Sequence, residues 1–490
     1  MISDGRGAGQ NASQDHHHIS DLEDAAGENL ANSRNRLEES AGTSSSLLEN
    51  LPAELRTLLL SSMPDLPTLR SIVHASPVLH AQYRYDRNSI LRACLDRELD
   101  GFFTDAYATV KSRVGEIGSP RTDEAITGFL DTYHAWLSGA TAIPDMKSIK
   151  TSRISWLAAY HISVARPLAR MYSKWALTNL RKAVSSPAGQ DGVGALTATV
   201  KQGEEKEEQE SKELETDASE GNHDTKLSRC EEIRIYRALY RYDTYYHLFG
   251  QNHGRRHGSF RHHEIHELFF SLFDPWEAEA IGCIDIFVRH KYEDIFNQIK
   301  KDLDPKNDRF RQENGVYNPE GSYDLELEYD DYLNGTIARG LKMTVRLLRI
   351  DDHQKLVSKM ERCLTHFHWL DSPLGQVLGS MAQNDRREMS INFPNTRDEA
   401  EQRQDAIKFV GDDVPPIGPP IAWVHLWGGK YVNIYGDYVP EPARQWGYVM
   451  WDERRWNDLG ALELVARQWK TSCDLIEEIE MDYNWRPVGY

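Results

Sequence analysis

Apolar residues recur at helical spacing through most of the chain. Five of them follow one another at intervals of four, three, four and three residues: Ile235, Leu239, Tyr242, Tyr246 and Phe249. After Pro275, a second stripe contains Ile281, Ile284, Val288, Ile295 and Ile299. Because residues three and four apart share one face of an α-helix, both patterns predict amphipathic helices.

The same period continues on either side of these two stripes. A helix is expected from Thr336 to His366, and long helical patterns run from Leu130 to Val184 with an interruption at Pro167. Residues 421–438 differ, because they follow four prolines and combine aromatic and β-branched residues with glycines. That composition predicts short strands or an ordered loop.

The predicted fold class is therefore mainly α. A small N-terminal three-helix module is followed by helical domains and by a short β or irregular, aromatic-rich C-terminal element. We expect this last element to pack on the helical domain that precedes it.

Two low-complexity stretches divide the chain. Residues 1–46 have almost no apolar periodicity and predict a disordered tail. Residues 185–227 predict an acidic linker or loop, since 201–220 hold nine acidic residues against three lysines. The folded material is expected in four parts, which are the module at 47–90, a helical segment at 91–184, a helical domain at 228–410 and the aromatic-rich region at 411–490.

The net charge, the cysteines and the lack of long apolar stretches restrict the partners and the location that the sequence predicts. The chain has 57 Lys and Arg against 76 Asp and Glu, a net charge of −19, which disfavours nucleic acid and anionic membranes as partners. The five cysteines are all more than 50 residues apart, so no CxxC pair is present. The N-terminus lacks the apolar core of a signal peptide, and no apolar stretch approaches 18 residues. We expect an intracellular protein, cytoplasmic or nuclear, that does not bind membranes.

The segment from Leu47 to Tyr83 carries the most information. Its sequence is LLENLPAELRTLLLSSMPDLPTLRSIVHASPVLHAQY, which contains three short amphipathic pieces. The first helix follows Leu51-Pro52, the second begins at the turn Asp65-Leu66-Pro67, and Ser76-Pro77 separates the second from the third. A unit of this size buries too little surface to be stable alone, so it must pack on the rest of the chain or on a partner.

This segment resembles the F-box, the helical module by which substrate receptors dock onto the Skp adaptor of cullin–RING ubiquitin ligases. Leu51-Pro52, Glu54-Leu55 and the pair Leu58/Leu59 match the opening segment of that family, and Leu66 and Leu69 match its second segment. Val73, His74 and Ala75 depart from the pattern, since the family usually has a Cys or basic residue and a Trp there.

The resemblance implies a substrate receptor that docks on the Skp adaptor and recruits an unknown protein for ubiquitination. The implied docking residues are Leu51, Pro52, Glu54, Leu55, Leu58, Leu59, Leu66 and Leu69. More loosely, this opening together with Pro275-Trp276-Glu277 and Trp446-Gly447-Tyr448 is similar to uncharacterised fungal F-box-like proteins, which bring no known activity with them.

Two other classes of function stay open. In a non-catalytic helical scaffold, Leu51, Pro52 and Leu55 would be buried against residues 130–184 instead of lying open on the module.

A metal-dependent enzyme would need His262 and His266 to converge with an acid such as Glu232 or Asp243. The order HHEIH lacks the HExxH spacing of a zinc protease, His253 and His257 lie in a locally cationic loop, and nucleophile-elbow and phosphate-loop motifs are absent. We therefore expect a non-enzyme without cofactor or metal.

A cluster of aromatic and basic residues near the C-terminus is the candidate substrate-side surface. It consists of Trp446, Tyr448, Trp451, Arg454 and Arg455. Exposed Trp, Tyr and Arg are typical anchors of a protein interface. The alternative, which large aromatic side chains favour, is that Trp446, Tyr448 and Met450 form the buried face of a short strand and that Trp451 and Trp456 cap the helical core.

Overall fold

The computed structural model describes residues 47–113, 115–118, 121–185, 226–250, 260–310, 322–367, 372–390 and 394–471. The predicted tail at 1–46 and nearly all of the predicted acidic linker at 185–227 lie outside these ranges. The described part of the chain is helical and contains no β-strand, only an isolated antiparallel bridge between Ala406 and Lys430. None of its helices is long and apolar enough to cross a membrane.

The N-terminal module has the three helices that its prolines and turn residues predict. They are α1 at Ala53–Ser61, α2 at Leu66–Ala75 and α3 at Pro77–Glu98. The carboxylate of Asp65 caps α2 by accepting the N–H of Thr68 at 2.7 Å, and the Ser76 hydroxyl caps α3 by accepting the N–H of Leu79 at 3.3 Å. Helix α3 bends at Asp86 and continues to Glu98. The predicted module boundary between residues 90 and 91 therefore falls inside a helix.

The next helices are α4 at Phe103–Lys111, α5 at Asp123–Leu137, α6 at Thr151–Tyr160 and α7 at Arg166–Ser185. A π-helical turn, His161–Ala165, joins α6 directly to α7. The predicted interruption at Pro167 is thus wrong. Pro167 sits in the first turn of α7, and the Ser163 carbonyl, which a proline four residues later cannot bond, accepts a hydrogen bond from Nη2 of Arg349 at 3.2 Å.

Both long apolar stripes form helices, α8 at Arg229–Phe249 and α10 at Pro275–Leu303, separated by the short α9 at His262–Ile265 and a π turn at His266–Phe270. Helix α8 is buried on nearly every side. It packs on α4, where the Thr109 hydroxyl lies 2.9 Å from both the Tyr240 carbonyl and the Thr244 hydroxyl. One continuous apolar cluster extends from Leu60 to Val465, so the blocks before and after the acidic segment share a core.

Residues 329–402 form short helices, and the single helix expected from Thr336 to His366 is wrong. The helices are α11 at Tyr329–Ile337, α12 at Leu341–Leu348, α13 at His353–Cys363, α14 at Leu374–Val377, α15 at Ser380–Ser390 and α16 at Thr396–Gln402. Gly340 separates α11 from α12 with a φ of +79°, and a Cβ there would lie 2.7 Å from Oδ1 of Asp243. Because only glycine takes this backbone conformation at so close an approach without strain, the helix does not continue through residue 340.

The C-terminal region contacts α10 and consists, in its described part, of short helices and turns without strands. Its helices are α17 at Ile421–Leu426, α18 at Glu441–Gln445, α19 at Glu453–Leu459 and α20 at Leu462–Thr471, with a 3₁₀ turn at Gly436–Tyr438. Trp423, Trp451 and Trp456 are fully buried there. These large side chains fill the space above α10, so packing and not sheet pairing orders the region.

Glu279 lies inside this contact between α10 and the C-terminal region. Its Oε2 accepts the N–H of Gly436 at 2.7 Å, while its Oε1 accepts no hydrogen bond from the described residues and lies 4.0 Å from Nε of Arg444. Burial raises the pKa of Glu279 to about 7, which the Arg444 charge and the Gly436 hydrogen bond offset only in part. The native state therefore holds a proton that an unfolded glutamate releases near pH 4.5.

We expect the Glu279→Gln variant to remove a pH dependence from the stability. Because native Glu279 binds its proton more tightly than the unfolded chain does, its contribution to the free energy of unfolding falls by up to about 3 kcal/mol between roughly pH 5 and pH 8. Urea denaturation at both pH values measures the difference between variant and wild type. The exposed Glu326→Gln is the control, and an identical pH slope in wild type and Glu279→Gln would contradict the buried proton.

Candidate docking surface

Helix α1 presents apolar side chains to solvent. Leu55 is 47% exposed and Leu58 is 65% exposed, while Pro52 is exposed and Leu51 half-buried. Leu47 and Leu48, which precede the helix, are exposed as well. We call these six residues the α1 face. Leu55 and Leu58 stand three apart and lie on one side of the helix, while Leu51 and Pro52 lie just before its first residue.

The opposite side of the module is its core. Leu60, Leu66, Leu69, Val73 and Leu79 are all buried. The prediction that Leu66 and Leu69 contact a partner directly is therefore wrong, because both lie in the core beneath α3, with exposures of 1% and 3%. Of the remaining predicted residues, Glu54 is exposed in the first turn of α1 and Leu59 is half-buried.

Polar contacts fix the position of α1 on α3 at the bend of α3. The Thr57 hydroxyl donates to Oδ2 of Asp86 at 2.6 Å, and Nε2 of Gln82 donates to both of these residues at 2.9 and 2.7 Å. Just beyond the C-terminal end of α1, Nη2 of Arg97 donates to the Met63 carbonyl at 2.5 Å. The α1 face is thus carried by a helix that is held at its middle and beyond its C-terminal end.

Glu98 attaches the module to the rest of the protein. Its Oε2 accepts the N–H of Leu66 at 2.8 Å, and its Oε1 accepts from Nη1 of Arg166 and lies 3.1 Å from Nε2 of His161. Nδ1 of His161 in turn lies 2.8 Å from the Tyr240 hydroxyl of α8. One buried carboxylate therefore joins the start of α2 to α7 and, through His161, to the central helix.

The environment of Glu98 favours the ionised carboxylate. Burial alone would raise the pKa of Glu98, but the contacts of His161, Leu66 and Arg166 outweigh it and lower the pKa to about 2. Arg166 keeps its charge at all ordinary pH values, so a cation always lies beside this carboxylate. Burial lowers the pKa of His161, so its ring acts as a neutral partner near pH 7.

The aromatic cluster near the C-terminus does not form an exposed surface. Trp446, Tyr448 and Trp451 are buried, and Nε1 of Trp451 donates to the Trp446 carbonyl at 2.6 Å. The burial alternative is correct, although these residues lie in turns and not on a strand. Gly447 has a φ of +66°, and a Cβ there would lie 2.5 Å from the Tyr172 hydroxyl, so only glycine allows this close packing.

The two arginines of the predicted surface have separate positions. Nε of Arg455 pairs with Oε1 of Glu231 at 2.6 Å and ties α19 to α8. The Arg454 side chain is 91% exposed and lies 3.5 Å from Asp458 within its own helix. The substrate-side surface predicted from these five residues is therefore wrong, because three of them are buried and a fourth is a structural ion pair.

The histidines of the metal hypothesis are not brought together with the acids it requires. His266 is buried and stacked on Tyr435, and burial with the charges of Arg386, Arg397 and Arg387 lowers its pKa well below the usual range. The carboxylate of Asp243 accepts the Tyr160 hydroxyl and the Leu341 N–H, each at 2.8 Å. His253 and His257 lie outside the described residues.

Within the described ranges, one group of side chains has ligand atoms close enough together to hold a metal ion. It consists of Cys230, Asp412 and Asp452. Arg234 already binds both carboxylates, with Nη2 at 2.7 Å from Asp412 and Nη1 at 3.0 Å from Asp452. Burial raises the pKa of the Cys230 thiol to about 12. The guanidinium occupies the place of a cation, so the group is a structural ion-pair cluster and not an available metal site.

No protein-family model matches the chain, and no curated protein or solved structure matches it.

Alanine substitutions should separate the core of the module from its surface. We expect Leu69→Ala to lower the free energy of unfolding by roughly 3 kcal/mol, because it leaves a cavity beneath α3. Leu58→Ala should change it by less than about 0.5 kcal/mol, because the Leu58 side chain is mostly in solvent. Urea denaturation measures both values, and equal losses would contradict the assignment of inner and outer sides.

Removing the charge of Glu98 should destabilise the attachment of the module. With a pKa of about 2 in the folded state against about 4.5 unfolded, the carboxylate contributes about 3 kcal/mol at pH 7. This contribution is present above pH 4.5 and is lost as the pH falls through 2, so the deficit of Glu98→Gln should shrink on acidification.

Urea denaturation of wild type and Glu98→Gln at neutral and acidic pH measures this deficit. The exposed Glu54→Gln is the matched control in the same module and should show no deficit at either pH. A deficit of Glu98→Gln that stays constant down to about pH 2 would count against the ionised anchor.

Proposed function

We propose that this protein is an F-box-like substrate receptor that docks onto the Skp adaptor of a cullin–RING ubiquitin ligase through the α1 face. The observation that carries the proposal is the exposure of Pro52, Leu55 and Leu58 on a helix whose other side is packed in the core. An amphipathic helix that leaves leucines in water is the form in which a helix enters the apolar groove of a partner.

The energetics favour a partner over permanent exposure. Burying a fully exposed leucine side chain is worth about 1.5–3 kcal/mol, so Leu58 and Leu55, which are 65% and 47% exposed, could each supply roughly half of that on docking. Leu47, Leu48 and Pro52, which come shortly before α1 in the chain, are exposed as well. Several exposed apolar residues in one short segment indicate an interaction site more than isolated exposed leucines do.

The support of the α1 face agrees with docking. Thr57, Gln82 and Asp86 hold α1 on α3, and Glu98 holds the module on the body of the protein. A face that is already ordered loses little conformational entropy when a partner binds. The adaptor would then carry the whole receptor in one orientation, because the module shares its apolar core with the remaining helices.

The alternative is a helical scaffold in which the module packs only intramolecularly. In that case Leu51, Pro52 and Leu55 would be buried against residues 130–184. Pro52 and Leu55 are instead exposed, and the module contacts the 130–184 region through Glu98 and Arg166. This arrangement favours the receptor, and the binding experiment decides between the two functions.

The test is co-purification of the full chain with the Skp adaptor, using wild type and a Leu55→Ala/Leu58→Ala variant. If both leucines are anchors, their truncation should cost about 2 kcal/mol or more each and weaken binding by at least roughly a hundredfold. Both side chains are largely exposed, so circular dichroism and urea denaturation should show that the variant remains folded.

Leu327→Ala is the matched control, since Leu327 is an exposed leucine outside the module. It should retain the adaptor as wild type does. The receptor function is refuted if folded wild-type protein does not retain the adaptor, or if the double variant retains it with unchanged affinity. The first of these results would favour the scaffold.

A further inference from the structure

An open cleft lies on the side of the protein formed by α8, α10 and the proline-rich loop at 415–420. It contains about 380 Å³ of empty space, part of which is open to solvent. Arg234, Arg237 and Arg241 from α8 form one wall, since they stand three and four residues apart on one helix face. Trp276 and Glu277 of α10 line the opposite side, and Ile417 lies at the mouth.

Three arginines line the cleft, and two of them are already neutralised. Arg234 pairs with Asp412 and Asp452 through its two Nη atoms. Arg241 pairs with Asp105 at 2.8 Å and with Glu277 at 3.2 Å. Each of these two guanidiniums is therefore already paired with two carboxylates.

Arg237 differs from both neighbours. Its Nε donates to the Gly101 carbonyl and its Nη1 to the Pro416 carbonyl, both at 3.0 Å, and Nη1 also pairs with Oε1 of Glu277 at 3.4 Å, a carboxylate that Arg241 shares. Among the described residues, Nη2 of Arg237 donates no hydrogen bond. The guanidinium is therefore oriented by two backbone carbonyls, has only one shared carboxylate, and retains an Nη2 that can donate to a further acceptor.

Apolar side chains extend from the cleft onto the surface. Trp276 packs edge-on against Trp423 with ring centroids 6.4 Å apart, which holds the indole in place. Ile417 is 82% exposed, and Val410 and Val414 on the same loop are also exposed. Val410 packs over Gly418, because a Cβ at residue 418 would lie 2.9 Å from Cγ2 of Val410. The apolar strip thus continues beyond the mouth of the cleft.

We propose that this cleft binds a peptide segment of a partner protein in which a large apolar residue adjoins an aspartate or glutamate. The carboxylate would accept hydrogen bonds from Nη2 of Arg237, and the apolar side chain would pack on Trp276 and Ile417. A peptide fits better than a small molecule because the apolar strip extends past the cavity, whereas small-molecule sites enclose most of their ligand. Charge complementarity specifies the acid, since Arg237 has only one carboxylate partner, which it shares with Arg241, and its Nη2 donates to none of the described residues.

This inference rests on the proposed function for the fate of the bound protein, which would be the ubiquitination substrate. The binding itself needs no adaptor, so the two proposals can fail separately. The cleft also takes the place of the predicted aromatic surface around Trp446, whose side chains are buried.

The test begins with selection of a random-peptide phage library on the immobilised full chain. Enriched sequences should carry Asp or Glu within two positions of a large apolar residue. The best synthetic peptide is then titrated by fluorescence anisotropy against wild type, Arg237→Met and Ile417→Asp, and we expect each substitution to weaken binding at least tenfold. Ile417→Asp should not affect folding, because the Ile417 side chain lies mostly in solvent. Loss of peptide binding in this variant therefore reports on the cleft and not on unfolding.

A double-mutant comparison identifies the contact. Replacing the acidic residue of the peptide by its amide should weaken binding to wild type but have little further effect on Arg237→Met. The Leu55→Ala/Leu58→Ala variant should bind the peptide as wild type does, which separates the cleft from the α1 face.

Four results overturn the proposal. They are the absence of any enriched peptide, enrichment of basic or purely apolar sequences, an amide effect of the same size on wild type and Arg237→Met, and loss of peptide binding in the Leu55→Ala/Leu58→Ala variant.

Discussion

Helix α8 passes through the interior of the protein and carries charged side chains into it, and the rest of the fold is arranged to neutralise them. Arg241 is paired with Asp105 of α4 and Glu277 of α10, and Arg234 with Asp412 and Asp452 of the C-terminal region. A buried guanidinium without a partner costs several kcal/mol, so each segment that supplies a carboxylate must be in place for α8 to be buried. This requirement joins parts of the chain that are more than 300 residues apart into one core.

One side of the N-terminal module is attached to the body of the protein, and the other side is exposed to solvent. Its inner leucines and Glu98 attach it to the body, whereas Leu55 and Leu58 remain in water on the other side of α1. The division follows from geometry, because a helix nine residues long can bury only the side that faces α3. In a receptor, a docked adaptor would therefore fix the orientation of the whole molecule, including the cleft beside Arg237.

Whether an arginine or a large aromatic residue is buried or exposed could not be predicted from the sequence and was decided by the tertiary structure. Arg234, Arg237 and Arg241 have the spacing of a solvated helix face, yet two of them are buried and all three line one cleft. Likewise, Trp446, Tyr448 and Trp451 have the composition of an interface but fill the interior. Composition cannot separate these cases, because the same residue types serve as hot spots and as core packing.

Sequence alone determined the mainly helical class, the two long stripes that became α8 and α10, and the three helices of the module with their breaks at Asp65 and Ser76. These features are local, since they depend on residue spacing, caps and prolines within one or two turns. The tertiary structure alone decided that the chain has one core across the acidic segment, that residues 336–366 break at Gly340, and that Leu66 and Leu69 face inward while Leu55 and Leu58 face outward. These features depend on contacts between residues distant in sequence, which no local pattern encodes.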